Sequence, residues 1–212
     1  MLCGLWNMNS SSTRAVFLDR DGVINHKAPA GDYIRTWGEV RLIHGAVEAV
    51  ASLNRAGYKV FVVTNQRGIA TKKVRMEDLQ EIHLRIQQEF AVAGALISQM
   101  YYCPHDFVDR CSCRKPQPGM LRCAAREHRL DLRTSWMIGD SLTDVEAGEN
   151  AGCHNILLAS PVDDFLRNSQ APLVAENLEA AVPLILNLSD PATRVVRTQP
   201  VPTFRSCLRE EF

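Results

Sequence analysis

Apolar residues fall in short, bounded runs along this chain, and most of the runs end in polar or acidic residues. Ala15-Val16-Phe17-Leu18, Lys59-Val60-Phe61-Val62-Val63, Leu96 to Tyr102, Ser135-Trp136-Met137-Ile138 and Cys153 to Leu158 read as strands of a sheet buried on both faces. A weaker sixth strand is predicted at 172–175. Between these runs the apolar period becomes helical. Val47, Val50, Ala51 and Leu53 stripe a helix over 45–57, with Gly57 as its C-terminal cap. Leu79, Ile82, Ile86, Phe90 and Ala93 stripe 75–94, with His83 beside them as a structural residue. Met120, Leu121, Ala124 and Ala125 give a buried side to a helix opened by Pro118, and a last helix is predicted at 177–188. His128 is expected at the surface and His154 in a structural role. Strand–helix–strand alternation of this kind predicts an α/β protein with a parallel sheet and right-handed crossovers.

Residues 25–43 break the alternation. His26, Pro29, Gly31, Asp32 and Gly38 punctuate a loop or flap that carries Tyr33, Ile34 and Trp37. One domain is expected over 14–188, after a flexible N-terminus at 1–13. From 189 to 212 the pattern dissolves into an extended tail.

The 212 residues suffice for one full core, and 46% hydrophobic with 23% charged residues is ordinary for a soluble globular protein. A formal net charge of +0 gives no basic field to recruit nucleic acid. No apolar run approaches the ~20 residues of a membrane helix. Met1-Leu2-Cys3-Gly4-Leu5-Trp6 lacks a basic region followed by a long apolar stretch, so no signal peptide is expected. Seven cysteines are an odd number, which argues for a reducing compartment, the cytoplasm, rather than a disulfide framework.

The chemistry sits where the strands end. Asp19 and Asp21 close the first strand, and Gly22 follows them. A buried carboxylate is costly unless paired or bound to metal, and open α/β sheets bind ligands beyond their strand ends. Asp-x-Asp spacing in an extended segment puts both side chains on one side, one to attack and one to handle protons. A surface turn Asp-Arg-Asp-Gly is the other reading. Thr64-Asn65-Gln66 closes the second strand, either as neutral hydrogen-bonding groups for a phosphate or as a turn. Arg114-Lys115 is either a pair of phosphate-binding cations or a solvated charge pair ahead of a helix. Asp140 ends the fourth strand as a candidate cation ligand, with Asp144 one helical turn on to orient the site; helix capping is the alternative for both.

Cys103, His105, Cys111 and Cys113 have the spacing C-x-H-x5-C-x-C. Three thiolates and an imidazole complete a tetrahedral zinc shell with no open position, so structural zinc is expected.

Taken together, Asp19/Asp21, Thr64-Asn65, Arg114-Lys115 and Asp140/Asp144 resemble the haloacid dehalogenase superfamily of phosphatases over roughly residues 14–160. The zinc loop, Thr-Asn-Gln and Arg-Lys-Pro-x-Pro-Gly-Met are similar to its histidinol-phosphate phosphatase-like branch, and most to the heptose bisphosphate phosphatases there. The resemblance implies a Rossmann-like sheet with helices on both faces and a minimal cap. It implies a monomeric enzyme acting on a small sugar phosphate, with neither nucleic acid nor membrane as partner. Asp19 would be the nucleophile, Asp21 the acid and base, and Lys115 the neutralising cation. Mg²⁺ would lie on Asp19, the Asp21 carbonyl and Asp140. Thr64, Asn65, Gln66, Arg114 and Lys115 would bind substrate, a seven-carbon bisphosphate cleaved at its anomeric phosphate, with Arg67 either reaching a second anionic group or pointing to solvent. Histidinol phosphate and a non-enzymatic zinc-stapled binding module are the alternatives. Two departures from the family stand out: Ala28-Pro29-Ala30 lengthens the flap, and Arg67 occupies a position where a small residue is usual.

Overall fold

The computed structural model describes residues 13–159 and 173–189. Six strands form one parallel sheet: β1 (Ala15–Leu18), β2 (Lys59–Asn65), β3 (Ile97–Cys103), β4 (Trp136–Gly139), β5 (His154–Leu158) and β6 (Leu173–Ala175). Their order is β3-β2-β1-β4-β5-β6, the Rossmann-like arrangement expected. The order reverses between β1 and β4, so a crevice opens beyond the carboxyl ends of these two central strands.

Side chains alternate across each strand, and the helices divide accordingly. Val16 and Leu18 face one core with Val50 and Leu53 of α1 (Ala46–Arg55), Ile82 and Ile86 of α2 (Met76–Val92), and Ala181 and Ile185 of α5 (Leu178–Ser189). Ala15 and Phe17 face the other, with Leu121 and Ala124 of α3 (Gly119–His128) and Ala147 of α4 (Leu142–Ala151). Phe17 stacks on Phe61 with ring centroids 5.6 Å apart.

The elements match the apolar pattern, with differences at their ends. β2 runs two residues beyond Val63, pairing Thr64 with Tyr102 and Asn65 with Cys103, so these polar residues are strand rather than turn. Ala93 lies past the end of α2 and is exposed. His128 is half-buried rather than superficial, its ring 4.8 Å from that of Phe61. His154 is exposed, with its ring 4.8 Å from that of Trp136. Between β1 and α1 the flap contains one 3-10 turn, Trp37–Glu39, and is anchored by buried Ile34 and Val40. Apart from Thr13 and Ser189, the expected N-terminal lead-in and tail lie outside the described residues. Among those residues no helix is long and apolar enough to cross a membrane.

Candidate active site

The main chain carries Asp19 out of β1 still tied to β4: its N–H donates to the Ile138 carbonyl at 3.0 Å. Asp140 follows directly after β4. Lys115 enters from the loop behind the cysteines and is 3% exposed, so its charge must be met inside the protein. Its Nζ lies 2.9 Å from Asp19 Oδ1 and 2.6 Å from Asp144 Oδ1, and donates to the Val63 carbonyl at 2.8 Å. Asp144 Oδ2 accepts from the N–H and the hydroxyl of Ser141 at 3.1 and 2.6 Å. Asp144 therefore both caps the start of α4 and holds the lysine, uniting the two roles its position suggested.

Asn65 fixes Lys115 from behind. Its side-chain Oδ1 accepts from Lys115 N–H at 3.0 Å and its Nδ2 donates to the Lys115 carbonyl at 3.1 Å. The residue expected to hold phosphoryl oxygens thus spends most of its hydrogen bonding on the lysine's main chain.

Burial pushes the Asp19 pKa up to about 6; Lys115 pulls it down, and the charges of Asp144 and Asp21 add to the rise. Burial also disfavours the charged form of Lys115, but Asp19 and Asp144 outweigh it and hold the lysine above its ordinary range.

Asp21 belongs to a second network. Arg20 Nε donates to its Oδ1 at 3.1 Å and Nη2 to Oδ1 and Oδ2 at 2.9 and 2.8 Å. Asn25 donates to Oδ1 at 2.9 Å, and Gln66 to Oδ2 at 3.1 Å. Burial opposes ionisation of Asp21, yet the Arg20 charge and these hydrogen bonds prevail and set its pKa below the usual carboxylate range. Gln66 also donates to Thr64 Oγ1 at 2.9 Å, leaving the threonine hydroxyl hydrogen for another acceptor. Sequence reasoning passed over Arg20 and Asn25, 1% and 0% exposed. A charged residue between two site acids was the available signal.

Carboxylate oxygens of Asp19, Asp140 and Asp144 lie within 4.8 Å of one another. Asp140 Oδ1 is buried without a hydrogen-bond partner, and Oδ2 meets Lys27 Nζ at 2.7 Å. Hard oxygen donors with an unmatched lone pair suit a small divalent cation. The Asp21 carboxylate, expected to approach this position only through its main chain, stays on Arg20. Gly22 makes room for the cluster: at φ +91°, a Cβ on it would sit 1.7 Å from Asp140 Oδ2.

Cys103, His105, Cys111 and Cys113 converge as expected. The three sulfurs are 3.3–3.5 Å apart, and His105 Nδ1 is 3.6 and 3.2 Å from those of Cys103 and Cys113. A tetrahedron with ~2.3 Å bonds has edges of ~3.8 Å, so the four atoms are close to a zinc shell.

Arg67, expected among the substrate ligands, pairs with Asp106 through Nε and Nη2 at 2.5 and 3.1 Å. Its guanidinium carbon and that of Arg114 lie 5.0 and 4.2 Å from the Phe107 ring centroid, and Arg114 Nη1 donates to the His105 carbonyl at 3.3 Å. Phe107, Arg110, Arg114, Lys115, Gln117 and Thr143 line a cleft of about 510 Å³.

The geometry can be set beside known proteins. Residues 16–117 match the haloacid dehalogenase-like hydrolase family, and 112–181 a HAD-hydrolase-like family. A D-glycero-beta-D-manno-heptose-1,7-bisphosphate 7-phosphatase of Pseudomonas aeruginosa is 41% identical over 147 residues, 69% of this chain and 82% of that protein. The D-glycero-alpha-D-manno-heptose-1,7-bisphosphate 7-phosphatase of Mycobacterium bovis is 39% identical over 136 residues, covering 64% and 71%. The crystal structure of the D,D-heptose 1,7-bisphosphate phosphatase of B. bronchiseptica, complexed with magnesium and phosphate, superposes with a TM-score of 0.74 at 33% identity, over 82% of this chain and 98% of that one. With its strand-end acids, its buried lysine and this likeness along most of its relatives' length, the chain belongs to the haloacid dehalogenase-like phosphatases, in the family of the heptose-bisphosphate enzymes.

Proposed function

We propose that this phosphatase releases the phosphate on carbon 7 of a D-glycero-D-manno-heptose 1,7-bisphosphate through a phosphorylated Asp19. The clamp joining Asp19, Lys115 and Asp144 beside Asp140 carries this reading. Carbon 7 replaces the anomeric phosphate expected from the sequence, because the relatives are named 7-phosphatases.

An Asp19 oxygen bonds to phosphorus while the bond from phosphorus to the sugar oxygen breaks. The leaving oxygen takes a proton from Asp21. Water then attacks the acyl phosphate, gives its proton to Asp21, and frees Asp19 and inorganic phosphate. The donors around Asp21 favour its anionic, proton-accepting form; a phosphate dianion arriving beside it favours the protonated form needed first. Lys115 neutralises nucleophile and phosphate together, and the Thr64 hydroxyl is free to donate to a phosphoryl oxygen. Asp19, Asp140 and the Asp21 carbonyl would hold Mg²⁺, which offsets charge between nucleophile and phosphate. Cys103, His105, Cys111 and Cys113 would hold a structural Zn²⁺. Arg110 and Arg114 offer cations to the substrate's second phosphate. Free cysteines at the zinc loop fit a reducing cytoplasm, and we take the working unit to be one chain.

The test compares kcat/KM for the heptose bisphosphate and histidinol phosphate at equal Mg²⁺ and salt, with ³¹P NMR of the sugar product. A preference of tenfold to hundredfold for the bisphosphate is expected, since one misplaced charge costs ~1–3 kcal/mol. The anomeric phosphate should stay on the product. A preference for histidinol phosphate would overturn the substrate.

Acid should weaken Mg²⁺ binding to the free protein. A proton on Asp19 competes with the cation, and with a pKa of about 6 the carboxylate is ionised at pH 7 and largely protonated at pH 5. Affinity should drop ~10-fold between those values, where an unshifted aspartate would lose almost nothing. Calorimetric titration with MgCl₂ at both pH values decides it, and equal affinities would refute the raised pKa.

Purified protein should contain about one zinc per chain, and Cys111→Ser should lose it. Gly119 explains why activity should then fall indirectly. It abuts the Ser112 carbonyl between Cys111 and Cys113, where a Cβ would come within 2.2 Å, so a shift of the cysteine loop would be passed to the start of α3 on the far side of Lys115. Elemental analysis showing no zinc in fully active enzyme would remove the structural-metal assignment.

A further inference from the structure

His83 faces the core from α2, 6% exposed, among Leu79, Ile82 and Ile86. Its sequence neighbourhood gives it the look of a core histidine, but its partner is the site itself. Nε2 lies 3.3 Å from Arg20 Nη1. The guanidinium of Arg20 is buried, and its Nε and Nη2 are both spent on Asp21. Nη1 is the remaining arm, and a buried donor left unmatched is costly. A guanidinium only donates, so Nε2 is the acceptor and the imidazole is the neutral tautomer with its proton on Nδ1. Burial, with the Arg20 charge adding to it, pushes the His83 pKa down to about 3 and keeps the ring neutral. The Tyr102 ring meets the imidazole edge-on at 5.6 Å and limits its rotation.

We propose that His83 is a positioning residue for the acid–base carboxylate: it holds Arg20 in the one orientation whose fork grips Asp21. The proposal rests on the phosphatase reading given above. Asn25 and Gln66 hold Asp21 from its own turn and from the end of β2; His83 brings in α2, 63 residues from Arg20 in sequence. A histidine that only filled the core would affect stability and leave turnover of the folded protein alone. One that aims Asp21 affects kcat, because Asp21 takes part in both chemical steps and not in substrate capture.

The test pairs His83→Gln with His83→Met, two side chains of similar shape of which only glutamine carries a strong acceptor. Both are compared with wild type as folded zinc-loaded enzyme in Mg²⁺. The Met variant should lose kcat ~10- to 100-fold, the usual cost of a misplaced group, with KM within about twofold, and the Gln variant should recover most of it. With p-nitrophenyl phosphate, whose leaving group needs little protonation, the Met variant should show a burst of nitrophenol and a phosphorylated chain by mass spectrometry, because water activation is still slowed. Equal kcat in the two variants would overturn the proposal and leave the phosphatase reading intact. Should His83→Met fail to fold, His83→Leu, which also lacks an acceptor, takes its place beside His83→Gln, and equal kcat in those two overturns the proposal. Absence of phosphate release from the wild-type enzyme on either substrate would overturn the underlying reading instead.

Discussion

Asp19→Asn is expected to reduce phosphate release by ~10⁴- to 10⁶-fold, the scale on which removal of a nucleophile is felt, while making the metal-free protein more stable. The amide is nearly isosteric but does not attack phosphorus. Its carbonyl still accepts from Lys115, which keeps Asp144 and the Val63 carbonyl. The stability gain follows from the sign of the pKa shift. Asp19 titrates at about 6 in the folded protein, above its unfolded value of 3.8, so its ionisation at pH 7 opposes folding. Removing that charge should add on the order of 1–3 kcal/mol at neutral pH, and little at pH 4 where the proton already sits there. Denaturant unfolding in EDTA at the two pH values measures this, and phosphate release with saturating Mg²⁺ measures the first effect. Substantial turnover in the variant would refute the covalent step.

Lys115→Met has the opposite signature. It leaves Asp19 and Asp144 buried without their common cation, and breaking a buried pair typically costs ~3–5 kcal/mol. Turnover should fall by ~10³-fold, since a preorganised charge on the transferring phosphoryl group is lost. Acid should repair the fold but not the activity. Lys115 lowers the Asp19 pKa, so without it the carboxylate binds its proton more readily and the penalty fades as pH falls from 7 toward 5. A denaturation midpoint equal to wild type at pH 7 would show that the clamp does not bear on stability.

These two residues were readable because each sits where local pattern makes it anomalous. An acid directly after four apolar residues, and a lysine just after a cluster of three cysteines and a histidine, have few ordinary explanations. The strands were readable for the same reason: short apolar runs bounded by polar residues leave little room for another assignment. What escaped was the partner of each polar group. Helical spacing shows that His83 lies near the buried stripe of α2, but not that Arg20 comes to meet it. Asn65 reaches Lys115 across 50 residues, and Arg67 reaches Asp106 across 39. Those distances close only when the sheet forms, and no periodicity encodes them. The Asp-x-Asp spacing placed both acids in the site, yet the chain bends at Arg20 and gives each its own network.

The strand order has a consequence for how the molecule comes apart. Asp19 and Asp140 hang from β1 and β4, the two innermost strands, whose residues are buried throughout. Proteins open piecemeal, and the periphery opens at lower free energy than the centre. Fraying of β6 and α5 at one margin therefore leaves the two acids joined by the Asp19–Ile138 hydrogen bond. In deuterium exchange the amide of Asp19 should be among the last to label, and half-unfolded chains should still carry an intact acidic pair.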